Sequence, residues 1–347
     1  MTRGEPRSLA PPAAAPSGGC PPQGDAIVIG GGLAGVAAAL HMADQGPRVT
    51  LLEATRRLGG RATSHLDPDT GEEIDNCQHV TMGACTAYAA LLSRLGMSDA
   101  IEWTDAQTWI EPGGRTSTIA PAALPPPLHY APSFAAARFL SPLDKAAIAA
   151  SLPAIAVARR AEWASRTFLE FLGHIAQPES TIRRFWSPVV VSACNLDVDR
   201  VSASPALMVF QNALLAGPHA ARIGVPRVPL ARLYSNVEAT LNAAGGGIEF
   251  AQRVSLVEPI PTDGFDASDP RATVVRVTTG TGPDAATRIA QFVVLAVPPS
   301  RVLALLPPCL HHHVPALADV RHSPISVSYT HLRAHETKAN LVCRLLL

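Results

Sequence analysis

Asp25-Ala-Ile-Val-Ile29 runs into Gly30-Gly-Gly-Leu-Ala-Gly35. An alanine-rich stretch continues to Gln45, Gly46-Pro47 interrupts it, and Arg48-Val-Thr-Leu-Leu-Glu53 follows. The first run is short and wholly apolar after Asp25, as a parallel strand buried on both faces requires. The alanine-rich stretch reads as a helix and the second run as another strand. A GxGxxG turn between strand and helix, with an acid after the next strand, has a stated mechanics. Gly30 permits the tight turn, Gly32 lets the backbone approach a pyrophosphate, and Gly35 lets the helix pack on the strand. The helix start at Leu33-Ala34 offers free N–H groups and a partial positive charge to phosphates. Glu53, followed by Ala54, can accept hydrogen bonds from ribose hydroxyls. The carboxylate also disfavours a 2′-phosphate, and hence NADP.

Composition supports a folded chain without a nucleic-acid role. Of 347 residues, 47% are hydrophobic and only 16% charged, a balance opposite to that of disordered chains. Lys and Arg together number 28, as do Asp and Glu, so no basic excess exists to neutralise phosphate backbones. The length suits one large or two ordinary domains. The mean hydropathy of +0.17 leaves peripheral membrane contact open, and no apolar run is long enough to span a bilayer. Cysteines 20, 77, 85, 194, 309 and 343 form no CxxC pair. Reduced thiols and a cytoplasmic setting are expected.

The residues after Glu53 narrow the cofactor. Arg57-Leu-Gly-Gly-Arg61 directly behind a strand-ending acid resembles the flavin-binding signature of the amine oxidase and carotenoid desaturase superfamily. The resemblance implies FAD, with Gly59 and Gly60 letting a loop pass close to the cofactor and Arg61, with Arg57, near its pyrophosphate. Thr55 stands where relatives often carry arginine. Glu73-Ile-Asp-Asn-Cys-Gln-His79 resembles the Asp-Asn-Gly-Gln-His segment of the squalene-associated FAD-dependent desaturases, the hydroxysqualene dehydroxylases. Cys77 replaces the glycine of that segment. Thr167–Leu172, Gln177, Phe185-Trp186-Ser-Pro188, Asn195, Ser202–Ser204, Val225–Tyr234 and Phe292–Pro299 resemble later segments of the same family in the same order. That resemblance adds Val254 and Pro298 to the FAD contacts.

The implied fold is α/β: a Rossmann-like FAD-binding domain interrupted by a largely helical substrate domain. Residues 1–24 read as a Pro/Ala-rich extension, 25–95 as the first part of the FAD domain, 96–224 as the substrate domain and 225–326 as the second part. Within the middle, Pro142–Arg160 reads as a helix pair bent or broken at Pro153. Strands are expected at Ile248–Val257, Thr273–Val277 and Ile289–Ala296, with a polar turn at Gly264–Asp269. Val327–Thr337 and Leu341–Leu347 resemble two translated blocks of a transposon sequencing adapter. The expectation is that native sequence stops near Ser326 and that a late glycine-and-acid flavin segment is missing.

The resemblance implies reductive dehydroxylation of hydroxysqualene to squalene in squalene and hopanoid biosynthesis. The substrate is then an apolar isoprenoid, and contact with the inner face of a membrane is compatible with it. His79 and Asp75 are the candidate proton donors to the leaving hydroxyl. A carotenoid-type desaturase or an amine oxidase is the alternative, though an amine oxidase calls for an aromatic cage and the chain has four Tyr and four Trp. A catalytically dead flavin fold is a second alternative. His79 also reads as a loop histidine with satisfied hydrogen bonds, Cys77 as a small buried thiol, and Trp163, Phe185 and Trp186 as core. No metal site is expected: consecutive His311-His-His313 point in different directions.

Overall fold

The computed structural model describes residues 25–77, 79–261 and 273–322. The extension at 1–24, Gln78, the polar turn expected at Gly264–Asp269 and the adapter-like tail lie outside the described residues. The chain opens with β1 (Asp25–Ile29), α1 (Leu33–Asp44) and β2 (Arg48–Leu52). A hairpin of β3 (Ser64–Leu66) and β4 (Glu73–Asp75) follows, then β5 (Thr81–Met82) and α2 (Thr86–Arg94). The middle begins with β6 (Ile101–Thr104), β7 (Gln107–Ile110) and β8 (Thr116–Ile119). It continues through α3 (Ala131–Ala136), α4 (Pro142–Val157), α5 (Phe168–His174), α6 (Glu179–Thr181), α7 (Ser187–Cys194) and α8 (Ala203–Val209). The return runs through β9 (Ile223–Pro226), α9 (Val237–Ala243), β10 (Gly247–Glu249), β11 (Val254–Pro261) and β12 (Thr273–Thr279). It ends in β13 (Ala286–Ala290), β14 (Phe292–Leu295) and α10 (Pro299–Leu305).

A four-stranded sheet, all parallel, has the order β10-β2-β1-β14. Its two faces explain the unbroken apolar run of β1. Ala26 and Val28 pack with Val36, Ala39 and Leu40 of α1 and Leu241 of α9. Ile27 and Ile29 pack on the other side with Val257 and Val277 of the antiparallel β11-β12-β13 sheet and with Leu305 of α10. Each alternate residue from Ala26 to Ile29 thus enters a different core, so none of these four positions can be polar.

The middle segment owns a separate core built on aromatic rings. Phe168, Phe171, Trp186 and Phe210 are buried there. Trp186 meets Phe210 edge-on with centroids 5.0 Å apart, and its indole N–H donates to Gln177 Oε1 at 2.9 Å. Phe185 belongs to the same core, and Trp163 packs edge-on against Phe171 at 4.9 Å. All three sit where a packing role puts them.

Local expectations require correction at four places. Residues 101–119 are strands rather than helix: β7 and β8 pair across a turn in which Gly113 and Gly114 take positive φ of 96° and 84°. Trp, Thr and Ile on either side of a Gly-Gly turn are strand formers, and that signal outweighs the helical surroundings. Pro142–Arg160 is not a helix pair, because α4 passes through Pro153 unbroken. Proline removes one N–H, and the carbonyl it orphans belongs to Ala149, an exposed residue on the solvent side of the helix. Ile248–Val257 and Ile289–Ala296 each hold two strands. Ala251, with φ of 57°, turns the chain out of the parallel sheet before β11 begins. Strand pairing also crosses the boundary expected at residue 95, since β5 joins β9 and β6 in one antiparallel sheet.

Candidate flavin site

The fingerprint turn is built by backbone crowding on one side and by open space on the other. Gly30 takes φ of 106°, and a Cβ there would stand 2.6 Å from the Ala296 carbonyl oxygen. At Gly35 a Cβ would come within 1.7 Å of the Gly30 oxygen, so the helix can sit this close to the strand only without a side chain. Gly32 is the contrast. The nearest atom to a Cβ built there is Gly60 Cα at 4.0 Å. Gly32 is also the N-cap of α1, and no side chain caps it. The N–H groups of the first helical turn, with Leu33 and Ala34, are therefore left for an anion.

The Arg57–Arg61 loop lies directly against that turn. Gly59 N–H donates to the Gly31 carbonyl at 2.8 Å, and Gly32 and Gly59 form a parallel bridge. Behind the loop, Thr63 Oγ1 donates to the Leu58 carbonyl at 2.7 Å and Tyr234 O–H to the Ala62 carbonyl at 3.0 Å. Burial pushes the Tyr234 phenol far above its ordinary value, with the neighbouring Tyr88 adding to the shift, so it stays a donor. Arg57 and Arg61 are exposed and their guanidinium groups have no hydrogen-bond partner among the described residues. Two cationic arms thus stand free beside an uncapped helix N-terminus.

Glu53 is buried and already at work. Its Oε2 accepts from Gly31 N–H and its Oε1 from Thr55 N–H, both at 2.7 Å. Each carboxylate oxygen retains a second lone pair with which to receive a ribose hydroxyl. Ala54 beside it is exposed. Val254 reaches the same place because Gln252 N–H donates to the Glu53 carbonyl at 2.9 Å and Ala251 N–H to the Thr55 carbonyl at 2.9 Å. Pro298 caps α10 two residues after Ala296, whose N–H donates to the Ile29 carbonyl at 2.9 Å. The sequence-derived cofactor residues from Gly30 to Pro298 therefore converge at the carboxyl end of the parallel sheet, where ligands bind in open α/β folds. The open cradle between Gly32 and Gly60, the free helix N-terminus and the unpaired arginines fit a dinucleotide pyrophosphate.

Beside this turn lies a cavity of about 410 Å³. One wall is α1, through Leu33, Ala34 and Ala37. Facing it are Ala87, Tyr88 and Leu91 of α2 and Thr81, Ile101 and Pro226 of the β5-β9-β6 sheet. The walls are nearly all apolar, and His79 is the one imidazole among them. Its Nδ1 lies 2.9 Å from the Cys77 carbonyl oxygen. A carbonyl can only accept, which assigns the Nδ1 proton and leaves Nε2 as the position that gains or gives one. The Cys77 thiol lies 3.2 Å from the same Nδ1. Burial, with the charge of Asp75, pushes that thiol up from its ordinary value, so it remains protonated near neutrality.

Asp75 does not join His79 at the cavity. Its Oδ1 accepts from Ser64 Oγ at 2.7 Å and from Leu230 N–H at 2.9 Å, while Ser64 Oγ accepts from Ala231 N–H at 2.9 Å. An oxygen committed to two donors ties the β3–β4 hairpin to the 230–234 turn. These bonds give Asp75 a positioning contact, and it is not among the residues lining the cavity. Asn76 extends the tie: its N–H donates to the Thr63 carbonyl at 2.8 Å, and its side-chain amide reaches the Arg61 carbonyl at 3.4 Å. Sequence reading missed Tyr234 as the strap on the glycine loop, although it ends the quoted Val225–Tyr234 block. His311 bonds the Leu303 and Leu306 carbonyls at 3.0 and 3.1 Å. Among the described residues, no group of three or more His, Cys, Asp or Glu is placed to hold a metal ion.

Residues 33–332 match the family described as flavin containing amine oxidoreductase. The chain belongs to that family. The cofactor is FAD, in keeping with the dinucleotide cradle at Gly30–Gly35. Among curated relatives, it is 29% identical over 298 residues to a hydroxysqualene dehydroxylase of Rhodopseudomonas palustris, covering 81% of this chain and 63% of the relative. It is 26% identical over 225 residues to a zeta-carotene desaturase of Capsicum annuum, covering 60% of this chain and 37% of the relative. The chain thus spans less than two thirds of the length of either relative. Its fold resembles that of an oxidoreductase from Methanosarcina mazei, with TM-score 0.60 at 15% identity over 86% of this chain and 65% of the other. A putrescine oxidase bound to putrescine gives TM-score 0.56 at 15% identity, over 82% and 61%. Among the described residues, no helix is long and apolar enough to cross a membrane.

Proposed function

We propose that this protein is an FAD-dependent oxidoreductase that removes the hydroxyl of hydroxysqualene to give squalene. The observation carrying the reading is the apolar cavity beside the fingerprint turn, in which His79 is the one imidazole. A long hydrocarbon is bound by apolar burial and little else, and a tertiary or allylic hydroxyl needs one proton to leave as water. His79 fits that need: Nδ1 is held by the Cys77 carbonyl, so the protonated ring presents Nε2–H as donor. Gly30, Gly32, Leu33, Ala34, Gly35, Glu53, Ala54, Arg57, Gly59, Gly60, Arg61, Val254 and Pro298 would hold the cofactor. When bound in its reduced form, FAD supplies the hydride equivalent that replaces the hydroxyl. The rest of the work falls to the chain: α1, α2 and the β5-β9-β6 sheet exclude water, and the helical middle segment, residues 96–224, forms a substrate domain around the isoprenoid. The greater coverage of the hydroxysqualene dehydroxylase supports this choice over a carotene desaturase.

The second reading is an oxidative enzyme of the same family, a carotenoid-type desaturase or an amine oxidase. The zeta-carotene desaturase likeness favours its first form. Its second form is disfavoured because Tyr88 is the one aromatic ring in the cavity wall, too few to cage an amine. The test is anaerobic: the purified chain carrying reduced FAD is mixed with hydroxysqualene and the extract examined for squalene. Squalene in proportion to flavin oxidised supports the reading. Flavin reduced by a carotene or an amine, with no squalene formed, replaces it with the second. A folded but colourless chain removes the catalytic reading for this polypeptide.

A further inference from the structure

Helix α4 has an outward face that water does not suit. Its inner face anchors it: Ile148 and Ile155 enter the aromatic core, and buried Asp144 bonds Ser180 and Arg184. Its exposed positions are Pro142, Leu143, Ala146, Ala149, Ala150, Pro153, Ala156 and Val157, and none of them is polar. Leu143 is 82% exposed and Val157 78%, at opposite ends of the helix. A helix lying on a globular surface in water carries charged and polar residues outward. The one polar side chain near this face, Lys145, donates to the Ala135 carbonyl at 2.6 Å and so closes α3 against α4. At 1.5 Å per residue the 16 residues of α4 lay down an apolar strip about 24 Å long.

Charge decides what such a strip meets. Arg138 is exposed three residues before the Ser141 cap, and Arg159 and Arg160 are exposed just past the helix end. Glu162 is already paired with Arg159 at 2.7 Å, and the carboxylate of Asp144 faces inward to Arg184. Exposed Glu179 stands against this excess. The helix thus presents apolar residues along its length, with exposed Arg138 before its start and Arg160, left over beside the Arg159–Glu162 pair, just past its end. An apolar stripe with basic flanks complements the acyl boundary and anionic headgroups of a bilayer. A second copy of this chain would instead bring the same positive ends together.

We propose that the outward face of α4 docks on an anionic lipid bilayer. This goes beyond the reaction assigned above and holds whichever isoprenoid the cavity accepts. The test is co-sedimentation of the full chain with vesicles of phosphatidylcholine and phosphatidylglycerol at three to one, and with phosphatidylcholine alone. Binding is expected to the mixed vesicles, weakened by raised salt, and to fall at least tenfold in the double variant Leu143→Glu, Val157→Glu. Both side chains are exposed, so the variant should keep the wild-type circular dichroism spectrum. If it misfolds, Leu143→Trp takes its place, with tryptophan quenching by brominated lipid as the readout. No binding to the mixed vesicles, binding unchanged in the double variant, or no added quenching in Leu143→Trp overturns the proposal. A wild-type dimer that the double variant dissociates, without lipid binding, gives the face to a second copy instead.

Discussion

Single residues at the flavin turn are held by contacts with no slack. Replacing Gly35 by alanine would set a methyl carbon 1.7 Å from the Gly30 oxygen, inside any permitted contact. Gly35→Ala is expected to give a chain that either fails to fold or purifies without flavin, read by circular dichroism and by flavin absorbance. Tyr234 makes a subtler case. Its hydroxyl is the donor to the Ala62 carbonyl behind the Gly59-Gly60 loop. Tyr234→Phe keeps the ring and leaves that carbonyl unpaired, at a cost of about 1–3 kcal/mol. The expected outcome is a lower Tm together with weaker retention of FAD on dilution. A Tm loss with unchanged flavin affinity would show that the strap serves stability alone. His79→Gln keeps a donor but cannot become a cation, so it should slow squalene formation while leaving flavin binding intact.

At the scale of elements, two buried titratable groups tie stability to pH in the same direction, each weakening the fold as pH falls, over different pH ranges. Asp144 sits in the first turn of α4, completing a capping box with Ser141 and bonding Ser180 and Arg184. The hydroxyl of Ser180 first, then the bonds from Ser141 and the charge of Arg184, hold its carboxyl below the usual value of 3.8. Its contribution is present above that value and is lost as pH falls through the depressed one. Asp144→Ala should cost about 2 kcal/mol at neutral pH, since it removes the N3 half of the capping box and leaves the Ser141 N–H and the Ser180 hydroxyl without their acceptor. His129, two residues after Pro125-Pro126-Pro127, is fully buried, and neither ring nitrogen has a hydrogen-bond partner among the described residues. Burial pushes it below the ordinary 6.5, so the folded chain holds it neutral while the unfolded chain takes a proton. Stability should therefore fall as pH drops through about 6.5, and His129→Phe should flatten that part of a Tm-against-pH curve. The flavin elements were legible in the sequence because backbone geometry writes itself into glycine spacing and apolar runs. The hairpin of β7 and β8 was not, although Gly113-Gly114 marked it, because the surrounding helices dominated the pattern. The separation of β10 from β11 was hidden because Ala251 takes a positive φ with no glycine to announce it.

Over the whole molecule, the residues proposed to hold the cofactor come from chain segments that share few other ties. The turn at Gly30–Gly35 and the loop at Arg57–Arg61 are local, whereas Val254 and Pro298 arrive more than 190 residues later, after the entire middle core has been built. The resemblance named these distant positions without giving the means of their return. That means is long-range backbone pairing: β14 beside β1, β10 beside β2, and the bonds of Ala251 and Gln252 to the Thr55 and Glu53 carbonyls. Asp75 shows the limit of motif reading, because the segment that carries it resembles a catalytic one while its oxygen holds Ser64 and Leu230. A ligand that contacts the native cradle and not the unfolded chain stabilises by mass action, about 2.7 kcal/mol at a hundredfold excess over Kd. FAD is therefore expected to raise Tm in a concentration-dependent way, whereas NADP, opposed by the Glu53 carboxylate, should leave it unchanged. Because β10 and β14 complete the sheet on either side of β2 and β1, hydrogen exchange should slow on FAD binding at both edges as well as at the fingerprint turn. Protection confined to Gly30–Gly35 would mean that residues 251–254 and 296–298 stand beside the cofactor without holding it.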